Sequence, residues 1–180
     1  GLGGKVLSKA GANPVNIDPG ELYMALERGV IDATEWVGPV FDRREGFDDV
    51  AKYYYFPGWH EPGSQLELII NSKVWGKLPE DLKLIIRSAA AKASLTIFAR
   101  SEFENTAAFK EMKEENQVEI VEFPKEVLQQ FEVFTRAVLE EEARENPQFK
   151  VVLESYQNFV KDYQEYEAVT ESAYRRAVKE

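Results

Sequence analysis

A chain of 180 residues that is 44% hydrophobic, 12% aromatic and 30% charged carries enough apolar and aromatic mass to build a core, which excludes a disordered polymer. Asp and Glu number 32 against 22 Lys and Arg, a formal net charge of −10, so phosphate backbones are repelled and nucleic acid is excluded as a partner. The absence of cysteine rules out disulfides, thiolate metal sites and cysteine nucleophiles, and no apolar run approaches the roughly 20 residues of a membrane-spanning helix.

The chain opens Gly1-Leu2-Gly3-Gly4, with neither an initiator Met nor a charged-then-apolar leader, and is expected to be the interior of a longer protein. Residues 14–17 read as a short extended piece. Asp18-Pro19-Gly20 then supplies a capping side chain with Pro early in the first turn. A helix is predicted over 21–28, with Leu22 and Leu26 on one face and Gly29 as its stop. Residues 30–37 read as a mostly buried strand ended by Gly38-Pro39, and 39–51 as a further helix.

Tyr53-Tyr54-Tyr55-Phe56 predicts a strand, because consecutive aromatics favour a pleated, half-buried setting. The loop after it, Pro57-Gly58-Trp59-His60-Glu61-Pro62-Gly63, leads to a predicted strand over 66–70. From Asn71 onward the pattern becomes that of long helices. Pro79-Glu80-Asp81 opens one in which Leu82, Ile86, Ala89, Ala93 and Ile97 recur at helical spacing, reaching the Glu114 region with a break on the way.

Residues 118–121 are a candidate strand. Phe123-Pro124 opens the next helix, carrying Val127, Phe131, Phe134 and Val138, and Asn146-Pro147 divides it from a last helix with Phe149, Leu153, Tyr156, Val160 and Tyr163 on one face. These stripes are read as core packing rather than cofactor boxes. No repeat, low-complexity tract or linker marks a domain boundary.

Phosphate-loop, zinc-protease, nucleophile-elbow and EF-hand signatures are missing, and His60 is the single histidine. What remains is a pair of carboxylates in suggestive places. Glu35 closes the apolar run Val30-Ile31-Asp32-Ala33-Thr34-Glu35-Trp36-Val37, and ligands of α/β folds gather at the carboxyl ends of strands. Glu61 lies in the aromatic loop. Two carboxylates with a backbone carbonyl are hard-oxygen donors of the kind Ca²⁺ accepts, although a solvated strand-end Glu and an exposed loop Glu are the plainer readings of each. Trp36, Trp59 and Tyr53 to Tyr55 supply either an apolar pocket wall or ordinary core.

The run from Gly20 through Pro39, followed in order by Tyr53 to Glu61 and by Asn71-Ser72-Lys73-Val74-Trp75-Gly76-Lys77-Leu78-Pro79, resembles the solute-binding proteins of tripartite ATP-independent periplasmic (TRAP) transporters. The likeness is specific in these motifs and architectural in the helical remainder. It implies an α/β chain, half of a two-domain periplasmic-binding-protein-like fold with short mixed-sheet strands and long carboxy-terminal helices. Residues 1–78 would hold the strand and helix alternation with domain-crossing strands, 79–180 would be mainly long helices, and the amino-terminal half would be absent.

The branch it resembles most binds 2-oxo or 2-hydroxy monocarboxylates through a bridging ion. The resemblance therefore implies no catalysis and an ion, Na⁺ or Ca²⁺, held by the Glu35 side chain, the Trp36 carbonyl and Glu61, with Trp36, Trp59 and Glu61 around the ligand. It also implies a membrane permease as partner and a periplasmic or otherwise extracytoplasmic location. Family members carry the Arg that pairs with the ligand carboxylate, and a further ion ligand, in the other half; Arg43 and Arg44 lie in the wrong segment to replace it. Unpaired edges and apolar faces then predict self-association or an amino-terminal partner. Two readings compete: a hydrolase using Glu35 and Glu61 as acid and base, and a helical interaction module built from Pro79 onward.

Overall fold

The computed structural model describes residues 1–61, 63, 66–115 and 118–178. These divide into two compact units, one formed by residues 1–15 with 124–180 and the other by 16–123.

The first unit is helical. Helix α1 (Leu2–Lys9) packs on α7 (Lys125–Glu145), which packs on α8 (Pro147–Glu167), and α9 (Glu171–Val178) follows. Val6 and Val138 are buried at the α1 and α7 faces, and ion pairs from Lys5 to Glu142 and from Lys9 to Glu141 flank them. Asn146 ends α7 and caps α8: its Oδ1 accepts from the amides of Gln148 at 3.0 Å and Phe149 at 3.1 Å, with Pro147 in the first turn. That is the division which Asn146-Pro147 predicts, with cap and proline acting together.

The second unit holds the sheet. Asp18 accepts from the Gly20 amide at 3.0 Å, opening a short 3₁₀ turn, Pro19–Glu21, that runs into α2 (Leu22–Glu27). Gly29 (φ +68°) ends α2. Its amide and that of Val30 return to the carbonyls of Leu26 and Ala25 at 3.1 and 2.8 Å, the paired bonds that close a helix on a left-handed residue. The predicted helix over 39–51 is two pieces, α3 (Pro39–Arg44) and α4 (Phe47–Val50), separated at Gly46 with φ +74°.

Strand β1 (Tyr53–Phe56) pairs in parallel with β2 (Glu119–Glu122), Tyr53 opposite Glu119 and Phe56 opposite Glu122. Parallel neighbours need a crossover, which α5 (Ser72–Lys77) and α6 (Glu80–Glu115) provide. The break expected in α6 does not occur; at 36 residues the helix is about 54 Å long. Phe47, Ala108, Met112 and Val118 form the buried apolar set of this unit together with Ala25.

The structure is mostly helical with a small parallel sheet, and neither 30–37 nor 66–70 is a strand. Both carry the apolar content of buried strands, yet Val30, Val37, Leu66, Leu68 and Ile69 are exposed. A strand is a pairing, and among the described residues these segments have no ladder partner. The stripe on α8 also departs from expectation: Phe149, Leu153 and Val160 are half-buried, but Tyr156 and Tyr163 are exposed. Among the described residues no helix is long and apolar enough to cross a membrane.

Candidate functional site

The segment from Thr34 to Gly38 runs without regular structure into α3, and its far end is fastened by side chains. Asp42, in the first turn of α3, accepts with one oxygen from the amides of Val37 at 3.3 Å and Gly38 at 3.1 Å. Its other oxygen accepts the Tyr54 hydroxyl at 2.5 Å. The next free amide of α3, that of Val40, donates to Asn105 Oδ1 on α6 at 3.1 Å. Donors that a helix start leaves unsatisfied are thus covered by an acid within the helix and an amide brought by another. Gly38 has φ +154° and lies against Asn105, where a side chain would be strained.

Electrostatics reinforce the clamp. Asp42 is 7% exposed, and the phenol of Tyr54 is held well above its usual ionisation range by burial first, then by its hydrogen bond to Asp42 and the charges of Asp42 and Asp48. Beside it, Arg43 meets Asp48 at 3.0 Å and reaches Glu111 at 2.7 Å and Glu115 at 2.8 Å on the last turns of α6. Arg44 lies 3.6 Å from Glu104 and over the Phe41 ring. Both arginines are engaged in joining α3 to α6.

Glu35 sits just before this clamp with its side chain 69% exposed, 3.9 Å from His60 Nε2. The His60 ring lies 4.5 Å from that of Trp59, so Glu35, His60 and Trp59 are brought together. Trp36 is half-buried, its ring edge-on to buried Phe47 at 6.1 Å, while the Thr34 hydroxyl donates to the Glu35 carbonyl at 3.3 Å. Glu61 is exposed, and among the described residues no set of three acidic or histidine side chains could hold an ion. Tyr53 and Tyr55 are exposed on β1 rather than buried, with Tyr55 against Phe123 at 4.9 Å.

The donors available here are carboxylate and carbonyl oxygens, which suit a hard cation and not a soft one. They are too few in the described residues to complete a coordination shell, so they fit as part of a donor set. Sequence reasoning missed Asp42 and Asn105, and took Tyr54 with its neighbours as pocket wall or core rather than as a hydrogen-bond donor. The acid in the first turn after Gly38-Pro39 is a capping signal; nothing local points to that role of Tyr54 or to Asn105.

Comparison with known proteins places the whole chain among relatives. The DctP family model, bacterial extracellular solute-binding protein family 7, matches residues 1–146. A monocarboxylate 2-oxoacid-binding periplasmic protein of Nostoc sp. is 35% identical over 97% of this chain and 48% of its own length. A TRAP transporter solute-binding protein from Bordetella bronchiseptica, a mixed-occupancy dimer with copurified calcium and picolinate in one site, is 34% identical with a TM-score of 0.93, over 98% of this chain and 52% of that one. A TRAP periplasmic solute-binding protein from Pseudoalteromonas atlantica, with bound sodium and pyruvate, is 35% identical with a TM-score of 0.92, over 99% and 54%. The chain spans about half the length of the relatives it matches.

Proposed function

The chain belongs to the DctP family of bacterial extracellular solute-binding proteins, a family of TRAP transport components and not of enzymes, and on that premise we propose that it carries part of a periplasmic site for a small 2-oxo or 2-hydroxy monocarboxylate bound through a Na⁺ or Ca²⁺ ion. The observation that carries the proposal is Glu35: an exposed carboxylate at the end of a segment whose next residues are fastened to α3 and β1. Two of the relatives were found with calcium and picolinate, and with sodium and pyruvate.

In this reading Glu35 and the Trp36 carbonyl are ion donors and Glu61 is a donor to ion or solute. Trp36 and Trp59 flank the solute. The ion supplies the positive charge that lets an acidic protein accept an anion. Trp36, wedged on Phe47, holds the direction of its own carbonyl, and Trp59 supplies an apolar wall that sheds water from the carbon end of the solute. Water and the solute's own oxygens fill the positions of the ion's shell that these residues leave open, and the loaded protein delivers its solute to a membrane permease.

Native mass spectrometry of the chain with calcium chloride and sodium pyruvate tests the reading. The expected result is a joint calcium and pyruvate adduct that is lost in Glu35→Ala and weakened in Glu61→Ala. An adduct that survives Glu35→Ala unchanged would remove Glu35 from the site, and no adduct at millimolar ligand would sink the reading for this chain.

A further inference from the structure

We propose that Asp42 is the positioning residue of this site, one buried carboxylate that sets the spacing between the Glu35 and Trp36 segment and the loop carrying Trp59, His60 and Glu61. The inference rests on the ion and carboxylate reading above and adds to it a residue that touches neither ion nor solute.

The two oxygens of Asp42 face different parts of the chain. One accepts from the amides of Val37 and Gly38, the peptide units that follow Trp36, so it fixes where the Trp36 carbonyl and the Glu35 side chain begin. The other accepts the Tyr54 hydroxyl on β1, the strand that leads directly into the Trp59 to Glu61 loop. Capping α3 would need only the first of these contacts. The second converts a local cap into a bridge between the two stretches of chain that carry every candidate donor, and those stretches meet at Glu35 and His60.

Charge matters to the bridge. A carboxylate accepts with both oxygens at once, and hydrogen bonds to an ionised acceptor are shorter and about twice as strong as neutral ones. Asparagine has the same shape but no charge and one acceptor in place of two, so both contacts cannot keep their present direction and neither is charge-assisted. Partners that orient ligating groups in this way typically change metal affinity by about 10- to 100-fold when removed.

Asp48 provides the control. It is equally buried and ion-paired with Arg43, yet the hydrogen bonds of the Val37 and Gly38 amides and of the Tyr54 hydroxyl go to Asp42, and Asp48 acts on Tyr54 only through its charge. The experiment compares Asp42→Asn, Tyr54→Phe and Asp48→Asn in the full chain by two readouts: amide hydrogen exchange without ligand, and titration with calcium chloride in the presence of sodium pyruvate.

For Asp42→Asn the expected result is exchange at Val37 and Gly38 faster by about tenfold, the loss of one charge-assisted bond. Asp42→Asn and Tyr54→Phe should each weaken calcium binding with pyruvate by about tenfold or more. Asp48→Asn should change neither readout beyond twofold, even if it lowers the melting temperature as much. Unchanged exchange at Val37 and Gly38 in Asp42→Asn overturns the proposal, as does equal loss of binding in Asp48→Asn. Should the unmodified chain bind no calcium with pyruvate, the function reading falls and the exchange arm decides alone. Tyr54→Phe must then loosen both the Val37 and Gly38 amides and those of Trp59 to Glu61; loosening of one stretch without the other denies the bridge.

Discussion

The two halves of α6 are one continuous helix in different circumstances. Its last third buries Ala108 and Met112 and sends Asn105, Glu111 and Glu115 to α3. Residues 91–100 are exposed throughout, Leu95 at 72% and Phe98 at 67%. Helical propensity and hydrogen bonding run through both stretches alike, so the difference is one of partners. The contacts that build the site are concentrated where α3, itself tied to β1 through Tyr54, meets the end of the helix, and the exposed stretch contributes apolar surface that nothing among the described residues covers.

The largest effect is expected where the contrast is strongest. Met112 is 1% exposed, and truncation to Ala leaves a cavity as well as losing transfer energy, about 2 to 5 kcal/mol for a buried side chain of this size. Urea unfolding of Met112→Ala measures it. A loss below about 1 kcal/mol would mean that the packed end of α6 is no tighter than its exposed middle.

Next comes the clamp itself. Tyr54→Phe leaves one oxygen of buried Asp42 without its donor, and hydrogen bonds to charged groups contribute about 1.5 to 3 kcal/mol. The pH dependence carries a sign. Because the folded phenol ionises well above its usual range, its contribution is fully present below the unfolded value of about 10 and falls as pH rises toward the folded one. Melting curves of the two proteins should therefore differ most near neutrality and converge in alkali. Curves that run parallel from pH 8 to 12 would show that Tyr54 is not protected.

Much of this region was legible before the structure. The Gly29 stop, the aromatic strand and the Asn146-Pro147 division are local chemistry, written in neighbouring residues. Glu35 and Glu61 stood out by their places at the end of an apolar run and in an aromatic loop, Trp36 and Trp59 as aromatics of pocket or core, and the resemblance alone gave them roles toward an ion and a solute. The strands expected over 30–37 and 66–70 failed because sequence shows the apolar pattern of a strand but not the partner it needs. Asp42 was missed for a related reason: an acid in a helix reads as solvated, and its burial is decided by Tyr54 twelve residues on and by a backbone turn at Gly38.

Asn105 gives a smaller and sharper test of how far the packed end reaches. Its Oδ1 accepts the Val40 amide, a helix cap supplied from a different helix, and removing such a cap costs about 1 kcal/mol. Asn105→Ala should lose that amount by thermal melt while Asn105→Asp, which keeps the acceptor, loses less. Equal losses would assign Asn105 a packing role instead.

The smallest effect on folding belongs to the exposed stretch, and it is the one most telling about assembly. Leu95→Lys and Phe98→Glu remove apolar surface that makes few contacts, so stability should change by no more than about 0.5 kcal/mol. Association should respond differently. If this face is where copies of the chain or a further stretch of protein cover one another, sedimentation of the doubly substituted chain should show association weakened by about tenfold, the consequence of losing roughly 1.4 kcal/mol from an apolar contact. Identical sedimentation of both proteins would place any association elsewhere. A large loss of stability would show instead that residues 91–100 are packed in solution, and the contrast between the two halves of α6 would not survive.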